Sequence, residues 1–144
     1  MAASQPPRVS VLLIEDNMDV ADSLARFLRV GAGFDVRVAY DGPTGLKAAI
    51  AHPPDAIVCD IALPKVSGLD LATELVAHLP AKPVLIAVTA FSGEYPEARA
   101  RAAGFDYYLT KPADPFVIER LIQARDLGPQ SQPPNLLQPN PGPH

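Results

Sequence analysis

The chain has 144 residues, 48% apolar and 19% charged, with a formal net charge of −4 and no dense run of Lys or Arg. That length supports one domain around one core, and that charge excludes an electrostatic footprint for nucleic acid or for an anionic membrane surface. The single cysteine, Cys59, has no partner for an internal disulfide and lies in an apolar run, as a reduced core residue would. The opening M-A-A-S-Q-P-P lacks the regions of a signal peptide, and no apolar run is long enough to span a bilayer, so a cytoplasmic protein is expected.

In chain order, residues 1–7 read as a flexible lead, residues 8–126 as the domain, and residues 127–144 as a proline-rich disordered tail or linker. Val9 to Ile14 is a nearly continuous apolar run of the kind that forms a strand covered on both faces, and it ends in Glu15, Asp16 and Asn17. Val20, Leu24, Phe27 and Leu28 then recur at helical spacing, and Gly31 and Gly33 close that helix. Phe34 to Ala39 alternates in polarity and suits a sheet edge. Asp41-Gly42-Pro43-Thr44 caps a helix carrying Leu46, Ala49 and Ile50, which His52-Pro53-Pro54 stops.

Ala56 to Cys59 is a third apolar run and leads straight into Asp60, while Pro64 and Gly68 prevent the strand from continuing. From Gly68 the spacing is helical, with Leu71, Leu75, Val76 and Leu79 on one stripe. Val84 to Val88 is a fourth run and ends at Thr89. Pro96 to Ala103 reads as a short, weakly apolar helix with Gly104 as its C-cap. Tyr107 to Leu109 is a fifth strand followed by Thr110, Lys111 and Pro112, and Asp114-Pro115 starts a last helix with Val117, Ile118, Leu121 and Ile122 on one face.

Alternating strands and helices predict an α/β fold: a doubly wound parallel sheet with right-handed crossovers. In such sheets the functional crevice lies at the carboxyl ends of the strands. With the second strand at the edge, Glu15, Asp16, Asp60, Thr89 and Lys111 converge on one mouth. Clustered carboxylates repel unless a cation compensates them, and magnesium accepts such hard oxygen ligands together with phosphate oxygens. Lys111 adds a fixed positive charge and Thr89 a hydroxyl donor, so the set describes a phosphoryl site with Asp60 as the central nucleophile.

These same residues carry a resemblance to the receiver domains of two-component response regulators, over about Arg8 to Asp126. The acidic pair after strand one, D-x-x-x-P-x-x-x-G at Asp60, Pro64 and Gly68, T-A after strand four and K-P after strand five are specific in combination. The resemblance implies a flavodoxin-like five-stranded sheet of order 2-1-3-4-5 with five helices. It implies that Asp60 accepts phosphate from the phosphohistidine of a sensor histidine kinase or phosphotransfer protein, with Mg2+ as cofactor. Asp16 and Asp60 would hold the metal directly, Glu15 partly through water, and Ala62 through its backbone carbonyl. Thr89 and Lys111 would bind phosphoryl oxygens, Tyr108 would be the switch aromatic, and the Lys111–Pro112 peptide would be cis. The implied output is a downstream protein partner or a homodimer formed through the last two helices and strand five. Such a chain is a switch, not an enzyme, catalysing only its own phosphorylation and dephosphorylation. By the same resemblance, Glu15 replaces the commoner aspartate, and Ala62 and Phe91 occupy positions that tune phosphate loss, pointing to a long-lived phosphoaspartate.

Each group taken alone has an ordinary reading: Glu15 and Asp16 as a solvated turn, Thr89 as a strand-end hydroxyl, Lys111 as a surface charge, Tyr108 as plain core. A phosphatase of the haloacid dehalogenase type needs a second aspartate where Ala62 stands. A pseudo-receiver, signalling without phosphate, is the remaining alternative, although no acidic or lysine position is lost. His52 and His78 lie near helix ends and form no metal pair, and Gly31-Ala32-Gly33 follows a helix and is no dinucleotide fingerprint.

Overall fold

A computed structural model describes residues 8–90 and 96–125; the lead, Phe91 and the proline-rich tail lie outside the described residues. Five strands form one parallel sheet: β1 (Ser10–Ile14), β2 (Asp35–Ala39), β3 (Ala56–Asp60), β4 (Val84–Thr89) and β5 (Tyr107–Thr110), in the order β2-β1-β3-β4-β5. The helices between and after them are α1 (Met18–Arg26), α2 (Gly42–Ala51), α3 (Gly68–His78), α4 (Glu97–Ala103) and α5 (Pro115–Ala124). The fold is thus the doubly wound one expected, with β2 at one edge.

Alternation along the strands divides the core in two. Leu12, Ile14, Ile57, Cys59, Leu85 and Ala87 point to one face, where they pack with Ala49 of α2, Leu71 and Leu75 of α3 and Ala100 of α4. Val11, Leu13, Val58, Ile86 and Val88 point to the other, where Ala25 and Leu28 meet Ile118, Leu121 and Ile122 of α5. Every residue of β3 is buried, as befits the central strand of a sheet covered on both sides.

Local chemistry sets the boundaries. Asn17 caps α1 by accepting from the Val20 N–H, Asp41 caps α2 by accepting from the Thr44 N–H, and Ser67 does the same for α3 with Asp70. Gly104 ends α4 at φ +121°, a backbone conformation that only glycine adopts without strain. After Arg26 the first helix widens into a π-helical turn, Phe27–Gly31, which Gly33 closes at φ +74°.

Three helix faces differ from those read off the spacing. In α1 the buried residues are Ala21 and Ala25, and Val20 is exposed; small side chains let the helix approach the sheet, and its bulkier residues turn aside. In α2 the buried set is Gly42, Gly45 and Ala49, while Ile50 faces out. A Cβ on Gly45 would come within 2.6 Å of Ile14 Cδ1, so the glycine edge defines that face. In α3, Leu69 and Ala72 replace Val76, which is exposed and lies against the place a Gly104 Cβ would occupy.

At the amino ends of the strands two aspartates act as pins. Asp55 accepts from the Ser10 N–H at 2.8 Å through one oxygen and pairs with Arg125 of the last helical turn at 3.3 Å through the other. Asp106 accepts from the Leu85 N–H at 2.9 Å and from Lys82 at 2.6 Å. Arg37 reaches from β2 to the Ala48 carbonyl, which also accepts from the His52 N–H, and to the His52 carbonyl just beyond α2.

These contacts give two expectations for urea unfolding. A Cβ on Gly68 would sit 2.6 Å from Ile61 Cα and 2.8 Å from the Asp60 carbonyl oxygen, both backbone. Gly68→Ala should therefore cost about 1–3 kcal/mol, and Gly45→Ala less, because the added Cβ there meets a side chain, Ile14, instead of backbone, and alanine is the better helix former by about 1 kcal/mol. Equal stability of Gly68→Ala and the parent would contradict the close approach. Asp55→Ala strands the Ser10 N–H and should cost about 1–3 kcal/mol; a midpoint unchanged from the parent would count against the pin.

Candidate functional site

Parallel register brings the strand ends level. Ile14 is opposite Cys59, Asp60 opposite Val88, and Thr89 opposite Thr110, so the residues at or just beyond these ends share one rim. Glu15 and Asp16 follow β1, Asp60 and Thr89 end β3 and β4, and Lys111 follows β5. The Lys111 N–H donates to the Thr89 carbonyl at 2.8 Å, which carries the ladder one residue past β5, and the Lys111–Pro112 peptide bond is cis.

Glu15, Asp16 and Asp60 each place a carboxylate oxygen within 4.8 Å of the other two. Glu15 and Asp60 are buried and Asp16 is exposed. Lys111 Nζ donates to Glu15 Oε1 at 2.6 Å and to Asp60 Oδ2 at 3.0 Å. The second oxygen of Glu15 accepts from the Asn17 N–H at 3.1 Å, and Asp60 Oδ1 accepts from the Ala62 N–H at 2.9 Å. Thr89 is 1% exposed at the adjacent strand end.

Three carboxylates face one ammonium, so the rim carries surplus negative charge. Burial pushes the Glu15 carboxyl above its ordinary range, although the Lys111 and Asn17 hydrogen bonds oppose the shift. Burial works against the Lys111 charge too, but hydrogen bonds to Glu15 and Asp60 outweigh it and hold the ammonium above the usual lysine value. Hard oxygen donors with a charge deficit are what a magnesium-sized cation requires, so the residues present fit that ion. Cys59 is different: burial pushes its thiol far up, leaving an inert core group.

Of the residues singled out in the sequence, Glu15, Asp16 and Asp60 bring carboxylate oxygens within 4.8 Å of one another, and Lys111 bonds Glu15 and Asp60. Ala62 is exposed, with its N–H turned to Asp60. Tyr108 is buried in the core layer beneath α2, α3 and α4, and it lines a shallow depression of about 260 Å³ shared with Glu97 of α4 and Val117 of α5. Two features escaped the sequence. One is the Glu15–Lys111 pair, joined across 96 positions, for which the length of a glutamate is the only hint. The other is a groove of about 650 Å³ beside the rim, lined by Val20, Leu24, Val88, Pro112 and Ile118 and sharing Glu15, Asp60 and Lys111 with it.

The family model of the response regulator receiver domain matches residues 11–123. Over 112 residues the chain is 39% identical to the transcriptional regulatory protein PrrA of Mycobacterium tuberculosis, covering 78% of this chain and 46% of PrrA, so it spans about half the length of that relative. A CheY-like response regulator receiver domain from Methylobacillus flagellatus is 30% identical with a TM-score of 0.72, over 81% of this chain and 98% of the other. A response regulator protein from Burkholderia pseudomallei, solved with a phosphorylated aspartic acid, calcium ion and citrate, is 31% identical with a TM-score of 0.70, over 81% of this chain and 72% of that one. The matched span contains the whole rim from Glu15 to Lys111, and the chain belongs to the response regulator receiver domains of two-component signalling.

Proposed function

We propose that the chain is a phosphorylation-controlled switch in which Asp60 accepts a phosphoryl group from the phosphohistidine of a partner kinase or phosphotransfer protein. The observation that carries this reading is the setting of Asp60: a buried strand-end carboxylate with one oxygen on a backbone N–H, the other on Lys111, and two further carboxylates within 4.8 Å. The Burkholderia relative was solved with a phosphorylated aspartic acid and a calcium ion, which supports the same chemistry here.

In the proposed step one Asp60 oxygen attacks phosphorus in line with the phosphoimidazole nitrogen. The P–O bond forms as the P–N bond breaks, and the imidazole leaves neutral, keeping the proton on its other nitrogen. Asp16, Asp60, the Ala62 carbonyl and, partly through water, Glu15 would hold magnesium, which when bound would supply positive charge to offset the carboxylates and the phosphoryl oxygens. The Ala62 N–H orients Asp60, the Lys111 ammonium takes a phosphoryl oxygen, and the Thr89 hydroxyl donates to another.

A phosphoryl group adds about −1.5 to −2 charges at one point. Thr89 draws toward that charge, Tyr108 follows into the space between α4 and α5, and the surface of the last two helices and β5 changes for a protein partner or a second copy. A donor borne on a protein is supported by the apolar groove beside Asp60 and by exposed Met18 and Val20 at the start of α1. A cytoplasmic location, without direct contact to nucleic acid, follows from the same reading.

Intact mass after incubation with acetyl phosphate tests it. One phosphoryl adduct is expected on the parent chain with magnesium, and none without magnesium or on Asp60→Asn. Labelling of Asp60→Asn would put the acceptor at another residue and sink the Asp60 reading, and no labelling of the parent by either acetyl phosphate or a panel of phosphorylated kinases would sink the proposal in favour of a pseudo-receiver.

A further inference from the structure

The groove beside the rim lies between α1 and α5, with Val20 and Leu24 on one side, Val88 of the sheet at its floor, and Pro112 and Ile118 on the other side. Next to Pro115, which also lines it, Phe116 is 64% exposed and meets Phe27 edge to face with ring centroids 4.8 Å apart. An apolar trough that runs on into an exposed aromatic pair suits an extended segment carrying apolar side chains and prolines.

The sequence beyond α5 has that chemistry. Arg125 is paired with Asp55 at the amino ends of the strands, so the chain leaves from the end of the sheet opposite the rim. To return it must pass the length of α5, about 15 Å for its 10 residues. The eleven residues from Arg125 to Leu136 span about 34 Å in the extended form that prolines favour, so the reach is ample. Residues 127–143 contain no Asp, Glu, Lys or Arg, and Leu136-Leu137, their one pair of large apolar side chains, follows Pro133-Pro134 with only Asn135 between. Such a segment enters beside three carboxylates without burying a charge. It arrives in the order the surface requires, prolines at the aromatic pair and leucines in the groove, and its tether gives it an effective concentration of millimolar order.

We propose that Leu136-Leu137 docks in the α1–α5 groove of its own chain, with Pro133-Pro134 against Phe27 and Phe116, and so covers the approach to Asp60. A protein donor that uses the groove then has to displace this segment, whereas a small donor does not. The covering role rests on the phosphorylation proposed above; the docking does not.

A nitroxide on a cysteine introduced by Gly142→Cys in the full chain, where the native Cys59 is buried, reports the docking by NMR. The amide signals of Val20, Leu24 and Ile118 are expected to broaden, and to recover in the Leu136→Ser/Leu137→Ser variant. No broadening, or broadening that survives the serine variant, overturns the proposal. Equal broadening of an isotope-enriched, unlabelled chain mixed with spin-labelled chain overturns it as well, because the occupant is then a second copy. Phosphoryl transfer from the kinase panel is expected to run about fivefold faster or more on the serine variant, with acetyl phosphate labelling both chains alike. Equal rates from the kinases overturn the covering role. Should neither chain take phosphate from any donor, the phosphorylation reading fails with it, and the spin label still decides the docking.

Discussion

Like charges held close together by a rigid frame are the constraint on which this molecule depends. Carboxylates on flexible loops would move apart; here Asp60 ends a fully buried strand, and Glu15 is tied to the Ala39 carbonyl through its own N–H. Three carboxylates with oxygens inside 4.8 Å therefore persist against their repulsion, and Lys111 offsets only part of it. Burial, with the Asp60 charge adding to it, raises the Glu15 carboxyl, while on Lys111 burial is outweighed by its hydrogen bonds to the two carboxylates, which raise the ammonium. A site with a standing deficit of positive charge suits a cation and is sensitive to any anion placed in it, which is the property the proposed phosphorylation switch needs.

The frame itself owes its precision to close approach. Gly68 lets the chain after Asp60 fold back onto Ile61, with its N–H on the Ile61 carbonyl at 2.7 Å, so the loop that carries Ala62 is pinned at both ends. Gly45 brings α2 onto Ile14, the last residue before the acidic pair. On the opposite face Ala21 and Ala25 bring α1 in, while Val20 and Leu24 turn to the groove next to the rim. Small residues thus set the distances, and the large ones fill what those distances leave.

Much of this was legible in the chain. The five strands, their polar end residues and the edge position of β2 follow from apolar runs that stop at Glu15, Asp60, Thr89 and Lys111, because a buried parallel strand tolerates polar groups only at its ends. The caps at Asp41 and Asp114 are local and readable from the prolines close behind them, whereas those at Asn17 and Ser67 show only in the structure. The helix faces were less legible: spacing marked Val20, Ile50 and Val76 as inward, and the structure turns all three outward. Periodicity counts large apolar residues, whereas a helix laid tightly on a sheet buries its glycines and alanines.

What the sequence by itself determined is the order of elements, the two-faced sheet and the identity of the groups at its carboxyl ends, since these depend on periodicity and on residues that break it. Tertiary structure alone decided which of those groups touch. Lys111 could have met a phosphoryl position, Asp60 or solvent; the register of β1, β3 and β5 puts its ammonium on Glu15 as well, 96 positions away. Side-chain reach across a gap between strands is a sum of backbone placements, and no local pattern in the chain encodes that sum.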